Sequence, residues 1–180
     1  MASKNPADRL EWVRTAVEHY EGPLVRYAAR ITGDLDHARD VVQETFLRLC
    51  QEERSRVDGH LAEWLYTVCR NRALDVRRKE NRMNAMSVVE LERCTSRDGA
   101  PSAELERDEA MCQVLRALAT IPENQQEVIR LKFQEGLSYR EIGSVTGLSV
   151  SNVGFLIHTG LKTIRQRVGA GTETASQCGG

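Results

Sequence analysis

The residues of this chain that could do chemistry are arranged for binding rather than for bond making. Asp40, Gln43 and Glu44 stand at helical i, i+3 and i+4 spacing, which puts two carboxylates and an amide close together. That set suits a basic, hydrogen-bonding partner; it equally suits a solvated helix face opposite a core stripe. Farther on, Arg70, Arg72, Arg77, Arg78, Lys79 and Arg82 gather around Asn71 and outnumber Asp75 and Glu80. Basic residues complement a helix C-terminus, but this density exceeds what capping needs and fits phosphate binding. The third set runs from Leu137 to Arg167 and begins LSYREIGSVTGLSVSN. Ser138 with Glu141 three residues later forms a capping-box pattern, Gly147 supplies the permissive backbone of a sharp turn, and Ser149 can cap a second, longer helix. A short helix, a turn with glycine and a longer helix are the parts of a helix-turn-helix, whose second helix enters the DNA major groove. The same residues also fit an ordinary helical hairpin in which small residues permit close packing.

Catalytic and metal chemistry have little support. Cys50, Cys69, Cys94, Cys112 and Cys178 are scattered without a C-x-x-C pair, and the four His are equally dispersed. There is no glycine-rich phosphate loop and no nucleophile elbow, so we expect neither an enzyme nor a bound cofactor. Lys and Arg total 25 against 26 for Asp and Glu, so any nucleic-acid contact depends on where the charge sits rather than on its sum. No apolar run approaches a membrane span and MASKNPADRLEW lacks a signal-peptide core, which leads us to expect a cytoplasmic protein without membrane insertion.

The elements that must position these residues are helices. Asp8 can cap a first helix carrying Leu10, Val13 and Val17, with Gly22 and Pro23 interrupting it and Leu24–Ile31 following as a separate segment. Asp34 caps the helix that carries Asp40, with Ala38, Val42, Thr45, Phe46 and Leu49 as its apolar stripe. A polar loop over Arg54–Gly59 leads to a helix from His60 to about Arg82, with Leu61, Trp64 or Leu65, Val68, Ala73 and Val76 inward. Asn81–Ser102 reads as a linker ending in SRDGAPS, within which Ser87–Leu91 can be briefly extended or helical. Order resumes with a helix placing Met111, Val114, Leu115 and Leu118 on one face, then a helix from Pro122 to Gly136 with Val128, Leu131 and Lys132 or Phe133 near its inner face. In the opening motif, Ile142 and Val145 point inward. On the long helix Val153, Ile157, Leu161, Ile164 and Val168 share the inner face, and Ser151, Phe155, His158 and Lys162 lie opposite, flanked by Asn152 and Thr159. The fold class is therefore all-α: two small helical domains, residues 1–80 and 103–168, joined by a polar linker over 81–102 and followed by a tail over 169–180 expected to be disordered.

Three stretches in this order resemble the extracytoplasmic-function (ECF) class of bacterial sigma factors: Gly22–Gln51, Leu61–Glu80 and Leu118–Val153. The resemblance covers nearly the whole chain except the tail. It implies a transcription initiation factor that binds core RNA polymerase and promoter DNA and that is held inactive by an anti-sigma factor, with no catalysis of its own. By the resemblance, residues 1–80 correspond to sigma region 2 and residues 103–168 to region 4. The D-V-V-Q-E run matches the polymerase-docking surface, which picks out Asp40, Gln43 and Glu44 with Phe46 and Arg48 nearby and turns the first ambiguity toward docking. Asn71, Arg72, Asp75, Arg77 and Arg78 match the helix that meets the −10 element, and Glu53–Gly59 matches the pocket for an extruded base. Trp64 reads as core, with stacking on a base as its alternative. The −35 set becomes Arg140, Ser149, Ser151, Asn152, Phe155, His158 and Lys162.

Here the chain departs from the family pattern. Members commonly carry Lys where this chain has Gly154 and Arg where it has Leu156 and Thr159, and basic charge appears only at Lys162, Arg165 and Arg167. Fewer phosphate contacts imply a weaker, less salt-dependent grip on the −35 element. Phe155 can meet a thymine methyl, or Phe155 and Leu156 can form a protein-binding patch. Two rival functions remain: a helix-turn-helix regulator that acts without polymerase, and a sigma-like protein-interaction module with a divergent reading helix.

Overall fold

The computed structural model describes residues 6–86 and 105–175, with side chains over 8–82 and 111–169. The stretch Ser87–Leu91, most of the expected linker and the last five residues lie outside the described residues. The chain divides into two compact units, residues 1–90 and 91–180, and every described element is an α-helix or its connection.

The first unit holds α1 (Pro6–Thr32), α2 (Leu35–Gln51), α3 (Arg54–Val57) and α4 (Leu61–Met86). Helix α1 is one continuous helix with Pro23 inside it, not two segments. Proline forfeits one backbone hydrogen bond, and burial on both sides of it outweighs that loss: Ala16 before it and Leu24, Tyr27 and Ala28 after it are all buried. The helix also starts before Asp8, with Pro6 as its first residue, a position that needs no N–H partner. Gly33 stops it with a φ of 77°, and Asp34 caps α2 by accepting the His37 backbone N–H at 2.8 Å. Helix α2 buries Ala38, Val41, Val42, Thr45, Phe46 and Leu49, the expected stripe widened by Val41. Leu65, Tyr66, Cys69 and Ala73 of α4 complete the core, with Tyr66 edge-to-face on Tyr27 at 5.2 Å. Of the pair Trp64 and Leu65, Leu65 is the one fully buried.

Two local expectations change in this unit. Arg54–Val57 forms a one-turn helix instead of a loop because Val57 is anchored in the core at 1 % exposure. Helix α4 continues past residue 80 to Met86, since nothing from Asn81 to Met86 breaks a helix.

The second unit holds α5 (Leu105–Ala119), α6 (Glu123–Phe133), α7 (Tyr139–Thr146) and α8 (Val150–Ala175). Its core joins Ala117, Leu118, Ile121, Val128, Ile129, Leu131, Leu137, Ile142, Val145, Val153, Leu156, Ile157 and Ile164. Helix α5 corrects the expected stripe: Leu118 is buried, while Met111, Val114 and Leu115 are exposed, because among the described side chains of this helix full burial is confined to its last turn. Helix α8 runs on to Ala175, into the stretch expected to be a tail; Gly169 and Gly171 weaken a helix but do not end it as a proline would.

Candidate functional site

The helix-turn-helix is fixed by reciprocal capping. The Glu141 backbone N–H donates to Ser138 Oγ at 3.3 Å, and the Ser138 backbone N–H donates to Glu141 Oε2 at 2.7 Å. Hydrogen bonding of the carboxylate by the Ser138 side chain and backbone N–H holds the Glu141 carboxyl below the usual carboxylate range. Gly147 ends α7 in the left-handed region with a φ of 78°, where a Cβ would be strained. Gly143 matters for a different reason, which the sequence reading missed: a Cβ there would stand 2.8 Å from the Leu148 carbonyl oxygen. Its signal in the sequence was a glycine inside an otherwise regular helix. Ser149 then caps α8, accepting the Asn152 backbone N–H at 3.2 Å.

This turn aims α8 so that Ser151, Asn152, Phe155, His158 and Lys162 are all exposed, together with Ser149 and Arg140. Five of the seven residues expected to read DNA thus share the solvent face of one helix, with Ser149 at its cap and Arg140 on α7. Leu156 is not part of a surface patch: at 7 % exposure it packs with Ile157 in the core, because α8 turns about 100° per residue and Val153 and Ile164 fix that face inward. Leu161 and Val168 are only half-buried. Gly160 brings α8 against α6, since a Cβ there would meet Ile129 Cδ1 at 2.6 Å, whereas a Cβ on Gly154 would make only ordinary contact with the Tyr139 ring at 3.6 Å. The late basic residues are partly committed: the Arg167 guanidinium hydrogen-bonds Thr120 Oγ1.

In the first unit the expected docking set separates. Asp40, Gln43 and Arg48 are exposed on α2. Phe46 is not a surface residue: it is 9 % exposed and belongs to the core stripe, since it follows Val42 by four residues on the inward face. Glu44 is half-buried and already engaged. One oxygen takes Arg48 at 2.9 Å and the other approaches Arg72 Nε at 2.5 Å. The second contact is an ion pair without hydrogen-bond alignment, because the buried Arg72 Nε has no hydrogen-bond partner.

That pair also divides the set expected at the −10 element. Asn71, Asp75 and Arg78 follow one another at i, i+4 and i+7 and are exposed, with Arg78 donating to Asp75 at 2.9 Å. Arg77 is exposed as well. Arg72 instead turns toward α2, into a groove of about 490 Å³ lined by Asp40, Glu44, Asp75 and Lys79 among others. His37 closes its end, with Nδ1 at 2.6 Å from Glu80; the sequence offered no sign of this contact, which joins residues far apart in the chain. Asp40 and Glu44 of α2 and Arg72, Asp75 and Lys79 of α4 therefore line one groove.

A helical unit with a basic last helix, followed by a separate helix-turn-helix unit, is the layout of a sigma-70-type transcription factor. Two family models match on these units: Sigma-70 region 2 over residues 16–83 and Sigma-70, region 4 over residues 113–164. The ECF RNA polymerase sigma factor SigL of Mycobacterium tuberculosis is 32% identical over 161 residues, covering 85% of this chain and 86% of that protein. SigE of Mycolicibacterium smegmatis is 28% identical over 150 residues, covering 83% of this chain and 58% of SigE. Among solved structures, the sigma factor RpoE in complex with the anti-sigma factor NepR from Bartonella quintana shares the fold, with a TM-score of 0.65 at 19% identity over 86% of this chain and 95% of RpoE. CnrH in complex with the cytosolic domain of CnrY follows at a TM-score of 0.56 and 21% identity, over 93% and 92%. The chain belongs to the ECF sigma factors of the sigma-70 family. No described helix is long and apolar enough to cross a membrane.

Proposed function

We propose that this chain binds core RNA polymerase through the exposed face of α2, at Asp40, Gln43, Glu44 and Arg48, and directs it to promoters. The last turns of α4 meet the −10 element through Asn71, Asp75, Arg77 and Arg78, and α8 reads the −35 element through its exposed face. Arg72 joins the DNA set by leaving Glu44. The polymerase supplies the bond-making chemistry, and the chain acts in the cytoplasm. The observation that carries this reading is the groove between α2 and α4, which sets a carboxylate-rich docking face beside a basic helix in a chain of this family. On the exposed face of α8 the cations come late, at Lys162 and Arg165, so the −35 grip is weaker and less salt-dependent than in members with Lys or Arg at the positions of Gly154, Leu156 and Thr159. An anti-sigma factor is the proposed partner of the inactive state; RpoE is described in complex with the anti-sigma factor NepR.

In vitro transcription with core polymerase on a random promoter library tests the reading. The expected result is a set of transcripts from templates sharing a −10 and a −35 element, absent without this chain. Transcripts that do not depend on the chain, or duplex DNA binding of equal strength without polymerase, refute it.

A further inference from the structure

Phe155 is 65 % exposed, and its surroundings on α8 are polar. The residues one turn before and after it are Ser151, Asn152, His158 and Thr159. The neighbouring apolar residues Leu156 and Ile157 are drawn into the core at 7 % and 2 % exposure, so neither extends the ring into an apolar patch. A lone phenyl group among hydrogen-bonding side chains, on the exposed face of the second helix of a helix-turn-helix, faces the base edges of the major groove when that helix docks. The ring offers nothing to a phosphate, to purine N7 or to guanine O6. The one apolar group a base pair presents in the major groove is the thymine C5-methyl. The polar residues beside the ring can satisfy the other edges, and Arg165, the one arginine at heptad spacing on this face, stands ten residues and about 15 Å along the helix beyond the ring.

We propose that Phe155 is the specificity-determining residue of the upstream element and that it selects a thymine by burying its methyl group against the phenyl ring. This inference rests on the −35 reading above. Excluding one methyl from water contributes about 0.8 kcal/mol, or about fourfold in affinity.

The experiment uses holoenzyme reconstituted from the full chain and core polymerase, on a promoter recovered from the library. Each thymine of the upstream element is replaced in turn by deoxyuridine, which keeps the pairing and removes only the methyl, and affinity is read by fluorescence anisotropy. We expect a loss of about fourfold at one or two positions with the natural chain, no loss at those positions with Phe155→Ala, and its return with Phe155→Leu. The inference is overturned if no thymine position responds, if the selected element holds no thymine, or if Phe155→Ala shows the same losses. If scrambling the whole upstream element leaves affinity unchanged, the −35 reading itself fails, a result distinct from an element that matters but is indifferent to its methyl groups.

Discussion

Of the glycines inside the helices of the second unit, Gly143, Gly154 and Gly160 have different surroundings, and the structure assigns a different outcome to alanine at each. Replacing a helix-interior glycine by alanine gains about 0.5–1 kcal/mol through backbone entropy. At Gly154 the new Cβ has the Tyr139 ring as its nearest neighbour, at 3.6 Å, so the gain is kept and Gly154→Ala stabilises by about 0.5–1 kcal/mol. At Gly160 the Cβ meets Ile129 Cδ1 at 2.6 Å, Ile121 Cδ1 at 3.3 Å and Gln125 Cβ at 3.4 Å. Ile129 is 6 % exposed and has little space to swing into, so overpacking of about 1–3 kcal/mol offsets or exceeds the gain. At Gly143 the obstacle is the Leu148 carbonyl oxygen at 2.8 Å, which moves only if the turn moves. There the loss is about 1–2 kcal/mol net of the propensity gain, and the aim of α8 changes with it. Urea unfolding of the full chain, followed by far-UV circular dichroism, gives the order. Trp12 and Trp64, the two tryptophans of the chain, lie in the first unit, so their fluorescence follows that unit and identifies which transition has shifted. A difference of 1 kcal/mol moves a domain of this size by about 4–8 °C, well within thermal-melt precision. The steric reasoning is refuted if Gly154→Ala destabilises the protein, or if Gly143→Ala is as stable as Gly154→Ala.

Other outcomes follow from the same geometry. Glu44→Gln removes the charge shared by Arg48 and Arg72, whose side chains are 52% and 42% exposed, so stability falls by less than about 1 kcal/mol; combined with Asp40→Ala it weakens core polymerase binding tenfold or more in a competition assay, and an unchanged affinity rejects the docking face. Ser138→Ala costs about 1 kcal/mol by removing the cap of α7. Because hydrogen bonds from Ser138 lower the folded-state pKa of Glu141 below its ordinary 4.5, the part of this contribution that involves the carboxylate is present above that pH and fades as pH falls through the folded value. The gap between wild type and Ser138→Ala therefore narrows in acid unfolding titrations, while the bond from the Glu141 backbone N–H to Ser138 Oγ remains. Burial pushes the Cys69 thiol up to about 12, partly offset by its hydrogen bond with Thr45; in the native protein at pH 8 iodoacetamide labels exposed Cys50 and leaves Cys69 unmodified until denaturant is added, as peptide mass spectrometry can check.

The sequence alone determined the all-helical class, the division into two units and the helix-turn-helix. These rest on local signals: the stripe of α2, the Ser138–Glu141 box, Gly147 and the cap at Ser149 all act within a turn or two of chain. The exposed face of α8 was equally legible, because Ser151, Phe155, His158 and Lys162 repeat at helical spacing. What needed the tertiary structure was every matter of which neighbour covers which face. Helical periodicity put Met111, Val114 and Leu115 on an inner face, but all three stay exposed in the folded unit. It left Leu156 free for a surface patch, but the packing of α8 in its unit takes it inward. Pro23 ends a helix by local rules, yet the core contacts of Leu24, Tyr27 and Ala28 carry α1 through it. The contact of Glu44 with Arg72 joins α2 to α4 and is invisible to any local pattern. Local hydrogen bonding and backbone conformation are written in neighbouring residues, whereas burial and ion pairing depend on which helices meet, and that is decided only when the chain is folded.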